Sequence, residues 1–136
     1  MKVRMRTGTT LRGSLRGLDA TQALWRPGKD RHNVWELAVH TAYWKYTVRR
    51  RLRKEKRGSF PLKGSNWFPS PVAGDEKAWS EVLRMVDGEH RALRETVLAL
   101  TARDLEVGKT LWMIRGVAAH DLYHTGQIQL VKKLRG

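Results

Sequence analysis

The chain contains no cysteine. That single absence excludes disulfides, thiolate zinc centres, iron–sulfur clusters and cysteine nucleophiles. Any transition metal would have to be held by His, Asp or Glu. Long apolar runs are missing as well, since none approaches the roughly 20 residues of a membrane span. The opening MKVRMRTGTT is basic but no apolar segment follows it, so it does not read as a secretory signal. No membrane partner and a cytoplasmic address are the simplest expectation. Acidic residues are scarce, 13 against 27 Lys and Arg, which leaves a formal charge of +14. The excess is uneven: residues 1–57 hold 16 Lys/Arg against 4 Asp/Glu, and residues 58–136 hold 11 against 9. Such a balance raises the question of a polyanion partner and says little about fold. There is no Ser-His-Asp arrangement, no phosphate-cradling glycine loop and no pair of inward carboxylates.

What is present reads as helix. At 136 residues, 40% of them hydrophobic, the chain suits one domain, residues 1–136, with a single core. Four helical stretches are expected. A short first one, about residues 9–18, puts Leu11, Leu15 and Leu18 on one face, with Gly13 and Gly17 weakening it. The second opens with Asn33 as N-cap and Glu36 three residues on, a capping-box pattern, and runs to about Lys54. Its inner stripe is Leu37, His40 (or Thr41), Trp44, Val48 and Leu52. Residues 57–74 hold Gly58, Pro61, Gly64, Pro69, Pro71 and Gly74 and form a long loop that also carries Phe60, Trp67 and Phe68. The third helix spans about 75–102, with Trp79, Leu83, Val86, His90, Leu93, Val97 and Leu100 on one stripe. The fourth spans about 111–134, with Met113, Val117, His120, His124, Ile128 and Val131 inward. An all-α, up-and-down four-helix bundle with a short first helix is the expected fold.

The histidines carry the chemistry. His120 and His124 are four apart, so their side chains share a helix face within reach of one ion. Helix two offers His40 on its own inner stripe. Three imidazoles converging inside a bundle suit one divalent transition metal, zinc or nickel before others, and leave a coordination position open as catalytic sites do. A four-ligand alternative would add His90, which reads better as a core or pocket-lining residue.

The segment Gly116-Val-Ala-Ala-His120-Asp-Leu-Tyr-His124-Thr-Gly-Gln127-Ile, with Arg31-His32-Asn33-Val34-Trp35-Glu36-Leu37 through His40 and Trp44, resembles the DinB/YfiT-like superfamily of metal-dependent enzymes. Gly17-Leu18-Asp19 followed by Arg26-Pro27 also fits. The resemblance covers nearly the whole chain. It implies a four-helix bundle, three His ligands around a divalent metal, and often a homodimer. Characterised relatives include thiol transferases and isomerases that use low-molecular-weight bacterial thiols, so the implied partner is a small-molecule substrate of that kind. This chain differs in its short first helix and its high positive charge.

Other residues stand beside the site. Gln127, on the face of His120 and His124, is a candidate to hold a ligand histidine or a metal-bound water. Trp67 and Phe68 could roof the pocket, and Trp44 could line it; each could equally be ordinary core. Asp121 points about 100° away from the ligands and suits an interhelical or surface ion pair. The run Arg49 to Arg57, with Arg49, Arg50, Arg51 and Arg53 foremost, could meet the phosphates of a nucleic acid or an anionic substrate. A solvated helix end is the simpler reading of that run, and no nucleic-acid motif accompanies it. The expected function is therefore a metal-dependent transferase or hydrolase. A basic helical nucleic-acid-binding module and a non-catalytic metal-binding protein are the alternatives.

Overall fold

In the computed structural model, residues 10–56, 58 and 60–136 are described. Every regular element among them is a helix: α1 Leu11–Leu15, α2 Ala20–Leu24, α3 Val34–Leu52, α4 Glu76–Leu98, α5 Ala102–Leu105 and α6 Thr110–Arg135. Three are long, and the other three are four or five residues each.

The short elements follow capping chemistry that apolar periodicity does not register. The expected first helix begins at Thr9, outside the described residues, and breaks before Leu18. Gly17 adopts φ +80°, and Asp19 then caps a new helix by a reciprocal capping box with Gln22. The expected third helix stops at Leu98 instead of Ala102, because Thr101 and Asp104 form a capping box that opens α5. Asp75 caps α4 by accepting from the Lys77 and Ala78 N–H groups.

α3 opens as expected. The Asn33 side chain accepts from the Glu36 N–H, and the Glu36 carboxylate accepts from the Asn33 N–H. The Asn33 amide also donates to Ser70 Oγ at 2.9 Å, pinning the loop between α3 and α4. The helix closes in a Schellman turn: Glu55 N–H donates to Arg50 O and Lys54 N–H to Arg51 O, with Lys54 itself at φ 55°.

α3 lies against both α4 and α6, α1 lies on α6, and α2 touches α3 and α4. Flanked in this way, α3 buries residues all round its axis, including Leu37, Ala38, His40, Thr41, Lys45 and Val48. Trp79 of α4 is sealed at 1% exposure, packs at a tilt against Trp35, and donates its indole N–H to Leu18 O. A second apolar cluster joins Val48, Leu93 and Val117 of the three long helices. Lys132 of α6 donates to Ser14 O and ties α1 down. The opposite side of α6 remains open, with Leu122, Tyr123, Leu130 and Leu134 all more than half exposed. No helix is long and apolar enough to cross a membrane, among the described residues.

A non-glycine residue in the left-handed region costs about 1–2 kcal/mol, which glycine avoids at some entropic expense. Lys54→Gly is expected to stabilise the protein by about 0.5–1 kcal/mol. Urea denaturation checks this; an unchanged or lowered midpoint would contradict the strained cap.

Candidate metal centre

His40 comes from the middle of α3, and His120 and His124 from successive turns of α6. The three rings meet through their Nε2 atoms. His40 Nε2 lies 3.0 Å from His120 Nε2, and His124 Nε2 lies 3.1 Å from the same atom. Among the described residues this is the one group of three or more potential ligands close enough to share an ion. Two nitrogens about 2.0–2.1 Å from one metal stand roughly 2.8–3.4 Å apart at angles between square and tetrahedral, so both of these separations fit.

The hydrogen bonds behind the rings decide which nitrogens carry protons. His40 Nδ1 lies 2.7 Å from the backbone oxygen of Asn66, and His124 Nδ1 lies 2.5 Å from Gln127 Oε1. Both partners are acceptors, so each Nδ1 must be the donor and each Nε2 a bare lone pair. Two lone pairs therefore face His120 Nε2, which has at most one proton to give. The three rings cannot satisfy one another by hydrogen bonding. A cation at their centre satisfies all three, and orienting acceptors on the far nitrogen are what a metal-binding imidazole needs.

The loop between α3 and α4 supplies the rest. Trp67 lies flat against His40 at 3.8 Å between ring centroids, and His32 lies flat on its other side at 3.6 Å. The Trp67 indole thus fixes the His40 ring plane and covers it from one side. Asn66 sits at φ 65°, a conformation asparagine tolerates better than most residues. That turn points its carbonyl at His40, and its side-chain oxygen accepts from the Trp44 indole N–H.

Burial is the main cause holding the His40 imidazole pKa down to about 4; the Asn66 contact opposes it, and the two neighbouring imidazoles add to it. His120 and His124 are lowered in the same direction, again mainly by burial. In all three, burial thus favours the neutral form that a metal-binding imidazole requires.

Directly behind the site, the buried Lys45 of α3 meets Asp121 Oδ1 at 2.9 Å, a contact of charge that joins α3 to α6 beside His120. Lys45 also donates to His90 Nδ1 at 3.0 Å. This corrects the reading of His90 as an inward residue of the metal pocket. It is exposed on α4 and faces Lys45 on the other side of α3's ligand stripe. Its spacing keeps it on the Trp79–Val86 stripe, and it is the packing of α4 on α3 that sets it against Lys45.

Residues 5–128 match the model of the DinB superfamily. The chain belongs to that superfamily. No curated protein and no solved structure matches it. In this DinB-superfamily chain the structure brings His40, His120, His124, Gln127, Trp44 and Trp67 to one place, and leaves Phe68 buried in the main core beneath the loop. It does not leave the basic run free as a group. Arg49 pairs with Glu89 and Glu55, Arg53 pairs with Glu55, and Arg50 donates to the Glu55 carbonyl. The Schellman turn swings Glu55 back among them. Arg57 lies outside the described residues. Sequence reasoning passed over Asn66 and His32. An Asn in a Gly/Pro-rich loop, where left-handed backbone is common, was the one signal available for the former.

Linkage gives a pH dependence for the metal-free protein. Between the unfolded histidine pKa of about 6.5 and the folded value of about 4, the unfolded chain takes up protons that the buried His40 refuses. Stability is therefore expected to be greatest above about pH 6.5 and to fall as pH drops toward 4. Urea midpoints between pH 7.5 and 4 check this, and His40→Gln should blunt the slope. A midpoint unchanged across that window would contradict it.

Proposed function

We propose that the protein binds one divalent transition metal ion, zinc or nickel, through the Nε2 atoms of His40, His120 and His124. The observation that carries this reading is the proton mismatch: two imidazole lone pairs aimed at a third Nε2. A divalent ion held by three neutral ligands keeps coordination room and would act as a Lewis acid that acidifies a thiol or water. A metal-dependent transferase using a low-molecular-weight thiol, or a hydrolase, is the reaction class this reading favours. Within it, the Asn66 carbonyl and Gln127 hold the ligand tautomers, Trp67 keeps water from one face of His40, and the Lys45–Asp121 pair sets the spacing of α3 and α6. The fold is read as an up-and-down four-helix bundle in which α1 is the abbreviated member.

A basic nucleic-acid module is the weaker reading, because Arg49, Arg50 and Arg53 are already turned to Glu55 and Glu89. A homodimer belongs to the proposal. The superfamily resemblance implies it, and the uncharged stripe of Leu122, Tyr123 and Leu130 on α6 offers an apolar face for a second copy. Sedimentation equilibrium at micromolar concentration should then give about twice 15.7 kDa, and Leu122→Glu should return the single-chain mass. A wild-type chain that sediments at the single mass would remove the dimer.

Protein purified without an affinity tag and dialysed against zinc or nickel is expected to hold about one equivalent per chain. His124→Ala should abolish stoichiometric binding, and Gln127→Ala should weaken it by roughly 10- to 100-fold. Elemental analysis after dialysis checks both. A full equivalent of tightly held metal on His124→Ala would show that the ligand set is wrong.

A further inference from the structure

A cavity of about 550 Å³ opens from the His40 and His120 side of the site and runs between α3 and the first half of α6. Its walls are Trp44, Val48, Trp112, Met113 and Val117, none of them charged. Gly116 forms part of the lining, and a Cβ built there meets nothing within 4 Å, so the helix backbone is left bare toward open space. Glycine inside a helix costs about 0.5–1 kcal/mol against alanine, and here it widens the cavity. At the far end stands Arg51, the one charged residue in the lining. Arg49 and Arg53 are both paired, whereas Arg51 is exposed and has no ion pair among the described residues.

The length of the cavity constrains what fits. Arg51 follows His40 by eleven positions on α3, about 16 Å along the axis. Both side chains lean toward the N-terminus of α3, but the arginine is several bonds longer than the imidazole, so its guanidinium reaches further back and the gap shrinks to the order of 10 Å. A compact ion cannot touch both ends, and a wholly polar molecule would lose its water against the tryptophan and valine walls. We propose that this cavity takes an extended, largely apolar molecule with a metal-seeking donor at one end and a carboxylate-like anion at the other, the anion held by Arg51. The proposal rests on the metal reading for the donor end only. The apolar walls and Arg51 act without the ion.

Calorimetric titration separates the two. Metal-free protein at low salt is expected to bind octanoate more tightly than octanol. Arg51→Gln should weaken octanoate about five- to tenfold and leave octanol unchanged. Gly116→Leu, a favourable helix substitution that fills the cavity, should abolish binding of both while the metal content stays at that of the wild type. On metal-loaded protein, 8-mercaptooctanoate should bind at least tenfold more tightly than octanoate, and chelation should remove that excess. If neither octanoate nor octanol binds the metal-free chain, or if Gly116→Leu binds as well as wild type, the cavity is not the site. If Arg51→Gln leaves octanoate untouched, the anion anchor is wrong. An 8-mercaptooctanoate no tighter than octanoate on protein shown to carry metal overturns the end-to-end placement. Loss of metal binding alone, with the octanoate pattern intact, would count against the metal reading and not against the cavity.

Discussion

Two imidazole lone pairs, on His40 and His124, are aimed at the Nε2 of His120, which can return at most one proton, and much of the surrounding structure serves to hold them there. The tautomers are not free to adjust. The Asn66 carbonyl and the Gln127 side-chain oxygen each demand the proton on the far nitrogen. Buried polar groups left without a partner cost on the order of 1–3 kcal/mol apiece. A cation at the centre would relieve that mismatch on all three rings. Burial favours their neutral form, which is the form that can coordinate an ion.

That constraint explains the central position of α3. A helix carrying one of the three histidines must be held at a set distance from the helix carrying the other two if their Nε2 atoms are to meet. Lys45 and Asp121 do this one turn away, with a buried ammonium against a carboxylate. The apolar contacts of Val48 with Leu93 and Val117 do it further along. The loop between α3 and α4 closes the remaining side, where Trp67 is sandwiched between His32 and His40 and Asn33 grips Ser70 at the loop's end. The long irregular segment is thus a wall of the site, anchored at several points to the helix it covers.

The positive charge has a local explanation at its densest point. At the end of α3 the chain reverses through Lys54 and delivers Glu55 into a group of arginines, while Glu89 of α4 meets Arg49. Paired cations near a helix C-terminus also suit the helix dipole. Arg51 has no ion pair among the described residues, and it alone of this run lines the apolar cavity beside the histidines.

The three long helices, the capped start of α3 and the histidine stripe were all legible beforehand, because apolar spacing and capping boxes are local properties written within a few residues. Local signals also explain the misses: Asp19 with Gln22 and Thr101 with Asp104 are capping boxes of the same kind, yet they cut short stretches whose leucine spacing continues past them. His90 shares the spacing of its helix's apolar stripe, and only the packing of α4 on α3 decides that it faces Lys45 and solvent. The pairing of arginines with Glu55 depends on a left-handed residue that no pattern announces. The site's second tier shows the same limit. Gln127 sits three residues from His124 and could be inferred from the helix repeat, whereas Asn66 reaches His40 across 26 residues of sequence through a loop conformation. By itself, the sequence determined that helices form and that His120 and His124 share a face, because both follow from contacts within one or two helical turns. Tertiary structure alone decided that His40 meets them, which protons the rings carry and which arginine lines the cavity, because each depends on groups brought together from distant parts of the chain.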